Sequence, residues 1–366
     1  MASYDLIVIG AGIVGAACAE RAVREGLRVA VVEPGPVGGG ATAAAMGHLV
    51  AMDDDPAELA LSRLSLQLWE RFAELPLAEF SRCGTLWVAR EPRELDSVAA
   101  KVERLAAAGV AARRIEAPEL YELEPHLTPG LCGGMLVAQE AVVYPPRVAQ
   151  YLLRQARELR AHCYLGRRAA ALNARGARLD DGSDLVGPVL VATGCALPEL
   201  LPQLPMRSRK GHLVITERYP ERIRHQLLEL GYADSAHSDA DSSVAFNVQP
   251  RPTGQILIGS SREFGQDDAA VSAPMLRRML ERAFAFVPML RDLQALRVWT
   301  GFRPCTTDGR PYIGALESRP HTWVAAGHEG LGVTTALGTA QLLIEQLLGR
   351  TPAIDPAPYA PSRALR

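Results

Sequence analysis

The chain has 366 residues, room for two domains at the usual ~100 to 200 residues each. Its 39 Lys and Arg against 41 Asp and Glu leave a formal net charge of -2, which provides no electrostatic footprint for nucleic acid or an anionic membrane surface and points to a small-molecule partner. Six cysteines at 18, 83, 132, 163, 195 and 305 include no CxxC pair, which argues against structural zinc or a redox dithiol, sets no metal site, and fits a reducing cytoplasm.

Asp5 to Ile9 (DLIVI) reads as a buried parallel strand, Ala16 to Glu25 as a helix ending at Gly26, and Arg28 to Val32 as a second strand. Between the first strand and the helix stands GAGIVG, Gly10 to Gly15. Gly10 makes the tight turn, Gly12 lets a pyrophosphate reach the backbone, and Gly15 lets helix and strand pack closely, with Ile13 and Val14 at the helix start facing the phosphates. Glu33 ends the second strand, eighteen residues past Gly15, where a carboxylate accepts from the ribose of a dinucleotide and favours a free 2′-hydroxyl. The apolar run lacks a basic n-region and meets Glu20 and Arg21 before the roughly 20 residues a span needs, so neither a signal peptide nor an integral membrane segment is expected.

Pro34 to Leu49 (PGPVGGGATAAAMGHL) is rich in small residues. It reads either as a flexible loop or as a segment lying along a flat isoalloxazine ring, with Ala41, Thr42, Met46, Gly47 and His48 as its contacts. Helices are predicted over Ala57 to Leu75, Glu94 to Ala108 and Val148 to Leu159, a strand over Gly84 to Ala89, and a hairpin turn at Asp180 to Ser183. The strand Val189 to Ala192 stops at Thr193-Gly194, either beside a cofactor or at an ordinary turn. Gly211 to Glu217, Ser243 to Val248 and Gln255 to Ser260 alternate as antiparallel strands do.

The C-terminal part returns to glycine-rich junctions, TGFRPCTTDGRPYIG at Thr300 to Gly314 and a strand, loop and Gly349-capped helix from Trp323. A dinucleotide fold that leaves its sheet, builds an antiparallel layer and returns is a cofactor domain assembled from separated pieces. A nicotinamide dehydrogenase, the remaining rival, would continue with more strand and helix units after Glu33.

Taken together, GAGIVG with Glu33, the ATG at Ala192 to Gly194, GFRPCTTDGRPYIG and GHEGLG at Gly327 to Gly332 resemble the D-amino acid oxidase superfamily of FAD-dependent amine oxidoreductases over nearly the whole chain. Glycine oxidase, sarcosine-oxidase-like enzymes and the beta subunits of proline and D-hydroxyproline dehydrogenases are the nearest in pattern, and ILIGSSREFG at Ile256 to Gly265 points toward the last. The resemblance implies an α/β fold: a Rossmann-like, glutathione-reductase-type FAD-binding domain from residues 1–80, 145–205 and 300–366, and an antiparallel-sheet substrate domain from 81–144 and 206–299. It also implies FAD and the oxidation of an amine carbon to an imine that water hydrolyses, with the C–H bond held over flavin N5.

Carried over residue by residue, Arg303 in GFRP matches the arginine that grips the substrate carboxylate; read without the family, it is a surface charge or an interface ion pair. Thr193 and Gly194, and Gly327, Glu329, Gly330, Leu331, Gly332, Val333 and Thr334, are expected against the flavin, the last group with a helix N-terminus near N1 and the C2 carbonyl. His48 and His328 are candidates for contact with ring or substrate, and packing or loop solvation is the competing reading for each. His212 follows Lys210-Gly211, where relatives carry a basic residue before a glycine, and reads first as a packing histidine. The cysteine that binds flavin covalently in sarcosine oxidases would fall near Gly301, and Cys305 is out of register, so FAD is expected to be non-covalent.

The expected reaction is oxidative deamination or dehydrogenation of a small amino acid, with a D-configured or secondary amine such as 4-hydroxy-D-proline or D-proline preferred. The alternatives are a glycine or sarcosine oxidase using oxygen and a flavin-holding relay subunit inactive without hetero-oligomeric redox partners. No iron-sulfur cysteine cluster is present in the sequence, so a further redox centre would belong to another chain.

Overall fold

The computed structural model describes residues 2–231 and 241–365. Its organising element is a six-stranded sheet in the order Tyr312–Ala315, Thr322–Ala326, Val189–Val191, Leu6–Ile9, Val29–Glu33, His162–Leu165. Every neighbouring pair is parallel except the first. The central strands are buried on both faces, which is why they read as unbroken apolar runs rather than alternating ones.

One face carries the helices Ile13–Arg24, Pro56–Trp69, Pro145–Glu158 and Gly332–Leu347, packed over Leu6, Val8, Val29 and Val31. The other buries Ile7, Ile9, Ala30 and Val32 against residues of a small sheet that includes Ala169–Asn173, Gly176–Leu179 and Asp184–Val186. The last two of these strands form an antiparallel hairpin around the expected Asp180 to Ser183 turn, closed by Leu179 N–H donating to the Ser183 carbonyl at 2.8 Å.

A second, eight-stranded sheet stands in the order Ala295–Cys305, Arg207–Arg218, Gln255–Glu263, Ser242–Pro250, Gln226–Glu229, Thr85–Ala89, Gly133–Val137, Arg113–Glu116. It is antiparallel apart from the parallel pairing of Gln226–Glu229 with Thr85–Ala89. Its back face is covered by the helix Ala273–Phe286, which buries Met275, Met279, Ala283 and Phe286 and stacks Phe286 on Phe246 with ring centroids 4.2 Å apart.

Several elements differ in extent from the sequence reading. The predicted helix over Ala57 to Leu75 runs from Pro56 to Trp69, starting on Asp55, whose carboxylate caps the amides of Ala57 and Glu58. The first part of the glycine-rich stretch, Thr300 to Cys305, belongs to a strand, Ala295–Cys305, which lies in the larger sheet on both sides of residue 300, while its end joins Tyr312–Ala315 in the six-stranded sheet. Within the small-residue segment, Gly40–Ala44 is a short helix. No helix among the described residues is long and apolar enough to cross a membrane.

Candidate active site

Both sheets open onto one cavity of about 1060 Å³. At one end the strand Leu6–Ile9 delivers Gly10 with φ +105°, and a Cβ there would lie 2.5 Å from the Ala192 carbonyl oxygen. A Cβ on Gly15 would lie 2.0 Å from the Gly10 carbonyl oxygen, so both positions require glycine for helix and strands to touch. Gly12 caps the helix Ile13–Arg24, whose first turn holds no acidic residue, and Gly10, Gly12, Ile13 and Val14 line the cavity. A helix N-terminus of this kind stabilises an anion.

Glu33 is fixed from two sides: Ala11 N–H donates to Oε2 at 2.7 Å and Gly35 N–H donates to Oε1 at 2.7 Å. A carboxylate offers about four acceptor positions, which leaves two for a ribose on the cavity side. Thr42 Oγ1 accepts from Ile13 N–H at 3.0 Å, tying the small-residue segment to the phosphate end. Thr193 lines the cavity with its Oγ1 buried and, among the described residues, unpartnered, and Gly194 follows with φ +56°.

Beyond Thr42 the segment runs along the cavity through Ala44, Met46, Gly47 and His48. Gly47 has φ +88° and sits where a Cβ would be 2.1 Å from the Val143 carbonyl oxygen. Gln249 Nε2 donates to the Met46 carbonyl at 2.7 Å. His48 is hydrogen-bonded through Nδ1 to Gln226 Oε1, and its Nε2 accepts from Asn247 Nδ2 at 3.1 Å. Burial, helped by the Arg303 charge, pushes the His48 pKa down to about 4, so the ring is neutral at physiological pH.

The opposite wall is built by the paired strands Arg207–Arg218 and Ala295–Cys305, whose register sets Arg209 against Arg303 and Gly211 against Gly301. Arg303 lies across Gly211, where a Cβ would be 2.5 Å from its Nη1, and Nη1 donates to the Ser261 carbonyl at 3.0 Å. Among the described residues no carboxylate pairs with Arg303, so most of its five N–H donors remain available to the cavity it lines. Gly301 carries Ala44: a Cβ on residue 301 would lie 2.3 Å from the Ala44 Cβ.

The loop at Gly327 to Gly332 closes the site. Gly327, Glu329, Gly330, Leu331, Gly332 and Val333 line the cavity, and Gly332 opens a 16-residue helix with no acid in its first turn. His328 also lines it, but its Nε2 is bonded to Thr339 Oγ1 at 3.0 Å and burial lowers its pKa to about 4. Glu329 faces the buried Arg209 at 3.7 Å.

A model of the family described as FAD dependent oxidoreductase matches residues 5–346. The chain belongs to this family. It is 28% identical to glycine oxidase of Pseudomonas aeruginosa, over 99% of this chain and 100% of that one, and 27% identical to D-amino acid dehydrogenase 2 of the same organism, over 98% of each. Its structure is similar to the crystal structure of glycine oxidase from Geobacillus kaustophilus, with a TM-score of 0.88 over 99% of both chains at 25% identity. The family's FAD fits what the cavity shows: a glycine-stripped helix N-terminus, a braced Glu33, an orphaned Thr193 hydroxyl, and a volume at or above the ~300 to 1000 Å³ of drug-sized sites.

Of the residues expected to bind cofactor, Gly15 and Thr334 stand behind the cavity wall rather than in it. Gly15 acts through the Gly10 contact, while Thr334 Oγ1 donates to the His48 carbonyl at 2.8 Å and so anchors the segment. Lys210 and His212 alternate to the back of the sheet, where Lys210 pairs with Asp268 at 3.1 Å and His212 bonds Ser261 Oγ at 3.0 Å. Arg310 is bound to Asp55 at 2.6 Å. Asn247, Arg209, Arg262 and Phe264 line the cavity and were missed; for Arg209 the period-2 alternation of Arg207, Arg209, Gly211 and Leu213 is a usable signal.

Gly15→Ala is expected to destabilise the protein by about 1 to 3 kcal/mol or more, because the opposing atom is backbone and cannot rotate away. Thermal unfolding and the flavin-to-protein absorbance ratio check this; unchanged values would contradict the packing.

A neutral buried histidine binds fewer protons folded than unfolded between its folded pKa of about 4 and its usual 6.5, so its contribution is present above pH 6.5 and is lost as pH falls through that window. His328→Gln is therefore expected to flatten the fall in stability on acidification, by up to about 2 kcal/mol at pH 5, in urea unfolding. Buried Glu140, raised to about 7, acts in the opposite direction in both proteins and drops out of the comparison.

Proposed function

We propose that this chain catalyses the FAD-dependent oxidation of the α C–N bond of a small amino acid to an imine, which water hydrolyses, with a D-configured or secondary amino acid such as D-proline or 4-hydroxy-D-proline preferred. The observation that carries the reading is Arg303, a guanidinium with a single backbone hydrogen bond among the described residues, set on the sheet face opposite the dinucleotide end of one continuous cavity. The similarity to glycine oxidase and to a D-amino acid dehydrogenase supports an amino acid rather than another amine.

Gly10, Gly12, Ile13, Val14 and Glu33 would hold the adenosine and phosphates, and Ala41 to His48, Thr193, Gly194 and the Gly327 to Val333 loop would hold the ring. The flavin supplies a two-electron acceptor for the hydride. Every other part belongs to the chain. Arg303 holds the carboxylate by charge-assisted hydrogen bonds, each worth about 1.5 to 3 kcal/mol, and thereby fixes which C–H bond is presented.

His48 and His328, neutral and hydrogen-bonded on the wall, hold their surroundings rather than remove a substrate proton. The helix N-terminus at Gly332, half-buried on the cavity wall, favours negative charge building up beside it. Retention of FAD without a covalent bond is part of the proposal: the Ala44 contact leaves no room for a side chain at 301, and burial pushes the Cys305 thiol up to about 12, away from nucleophilic thiolate.

Anaerobic addition of 4-hydroxy-D-proline, D-proline, glycine or sarcosine to the purified holoprotein is expected to bleach the visible flavin band with at least one of them. A yellow protein that none of them bleaches would contradict the substrate class. Arg303→Leu is expected to lower the second-order rate of flavin reduction by about 10² to 10⁴-fold while the protein stays yellow, with Arg303→Lys intermediate because a single ammonium cannot make the fork contact. Stopped-flow reduction measures both.

A further inference from the structure

Asn247 lies in the strand Ser242–Pro250, is 1% exposed, and forms part of the cavity wall. Its amide is oriented by a chain of hydrogen bonds that begins at the backbone. Gln226 Nε2 donates to the Ala141 carbonyl at 3.0 Å, so the Oε1 of Gln226 is the end turned to His48, and it can only accept. His48 Nδ1 must then carry the ring's proton, and a neutral ring leaves Nε2 as an acceptor. Asn247 Nδ2 donates to that nitrogen at 3.1 Å.

The relay therefore ends on Asn247 Oδ1, and this carbonyl oxygen is buried with no hydrogen-bond partner among the described residues. A buried amide oxygen left without a donor is unusual in a folded protein and calls for a ligand that supplies one. Arg303, which the reading above assigns to the substrate carboxylate, lines the same cavity as His48 and Asn247. A carboxylate only accepts, so the donor that D-proline, 4-hydroxy-D-proline, glycine and sarcosine all share is the amine.

We propose that Asn247 Oδ1 accepts the N–H of the substrate amine while Arg303 holds the carboxylate, and that His48 and Gln226 are positioning residues that keep the Asn247 amide from turning over. The inference rests on the amino-acid reading and deepens it. A carboxamide suits this place better than a carboxylate, because it accepts from an amine without the negative charge that would hold the amine protonated, and an amine must lose its positive charge before a hydride leaves the adjacent carbon.

The test compares ligands that differ only in that N–H, on the flavin-loaded protein. D-proline is paired with (R)-tetrahydrofuran-2-carboxylate, and sarcosine with methoxyacetate. Kd for each amine comes from the concentration dependence of anaerobic flavin reduction, and Kd for each ether from perturbation of the flavin spectrum. Asn247→Leu is expected to weaken the amine by about tenfold or more while leaving the ether within about twofold, and Gln226→Leu to produce part of the same loss.

Should Asn247→Leu not retain flavin, Asn247→Ser, whose hydroxyl is too short to replace the amide oxygen, is expected to show the same selective loss. Equal weakening of amine and ether, or an unchanged preference between them, overturns the role of Asn247. A wild-type protein that neither amine reduces and neither ether perturbs overturns the amino-acid reading and, with it, this proposal.

Discussion

Two glycines facing each other across a strand pair hold the site together. Gly211 and Gly301 are direct partners between Arg207–Arg218 and Ala295–Cys305, and neither has room for a side chain. Arg303 lies over the first and Ala44 rests on the second, so this bare patch of sheet is where the segment from the dinucleotide end meets the arginine proposed to bind substrate. A methyl group at either position would push the arginine or the short helix Gly40–Ala44 aside, in a packed interior where single atoms are felt.

The dinucleotide end obeys the same rule of close backbone approach. Gly10 and Gly15 let the helix Ile13–Arg24 touch the strand that bears it, and Gly47 lets the small-residue segment pass Val143. Polar groups then fix what the glycines have brought close: Thr42 on Ile13, Glu33 on Ala11 and Gly35, Thr334 on His48. FAD specificity, on this account, is mostly a matter of backbone access, with few side chains committed to it.

The dinucleotide end was legible in the sequence because its signal is local. GAGIVG and Glu33 lie within 24 residues, and the buried strands around them show as continuous apolar runs. The stretch from Gly40 to Ala44 reads as loop because five residues carry no helical period, and the strand Ala295–Cys305 is disguised by glycine and proline that its pairing requires. Asn247 was invisible for a different reason. Its orientation depends on Ala141, Gln226 and His48, residues up to 199 positions away, and nothing near it in the chain marks it.

The most direct check is an experimental structure of the protein with FAD and a non-reacting amino-acid analogue bound. The account predicts the ribose at Glu33, the ring against Ala44 to His48, and the analogue's carboxylate on Arg303. An analogue carboxylate bound away from Arg303, or a flavin ring lying away from the Gly211 and Gly301 patch, would contradict it.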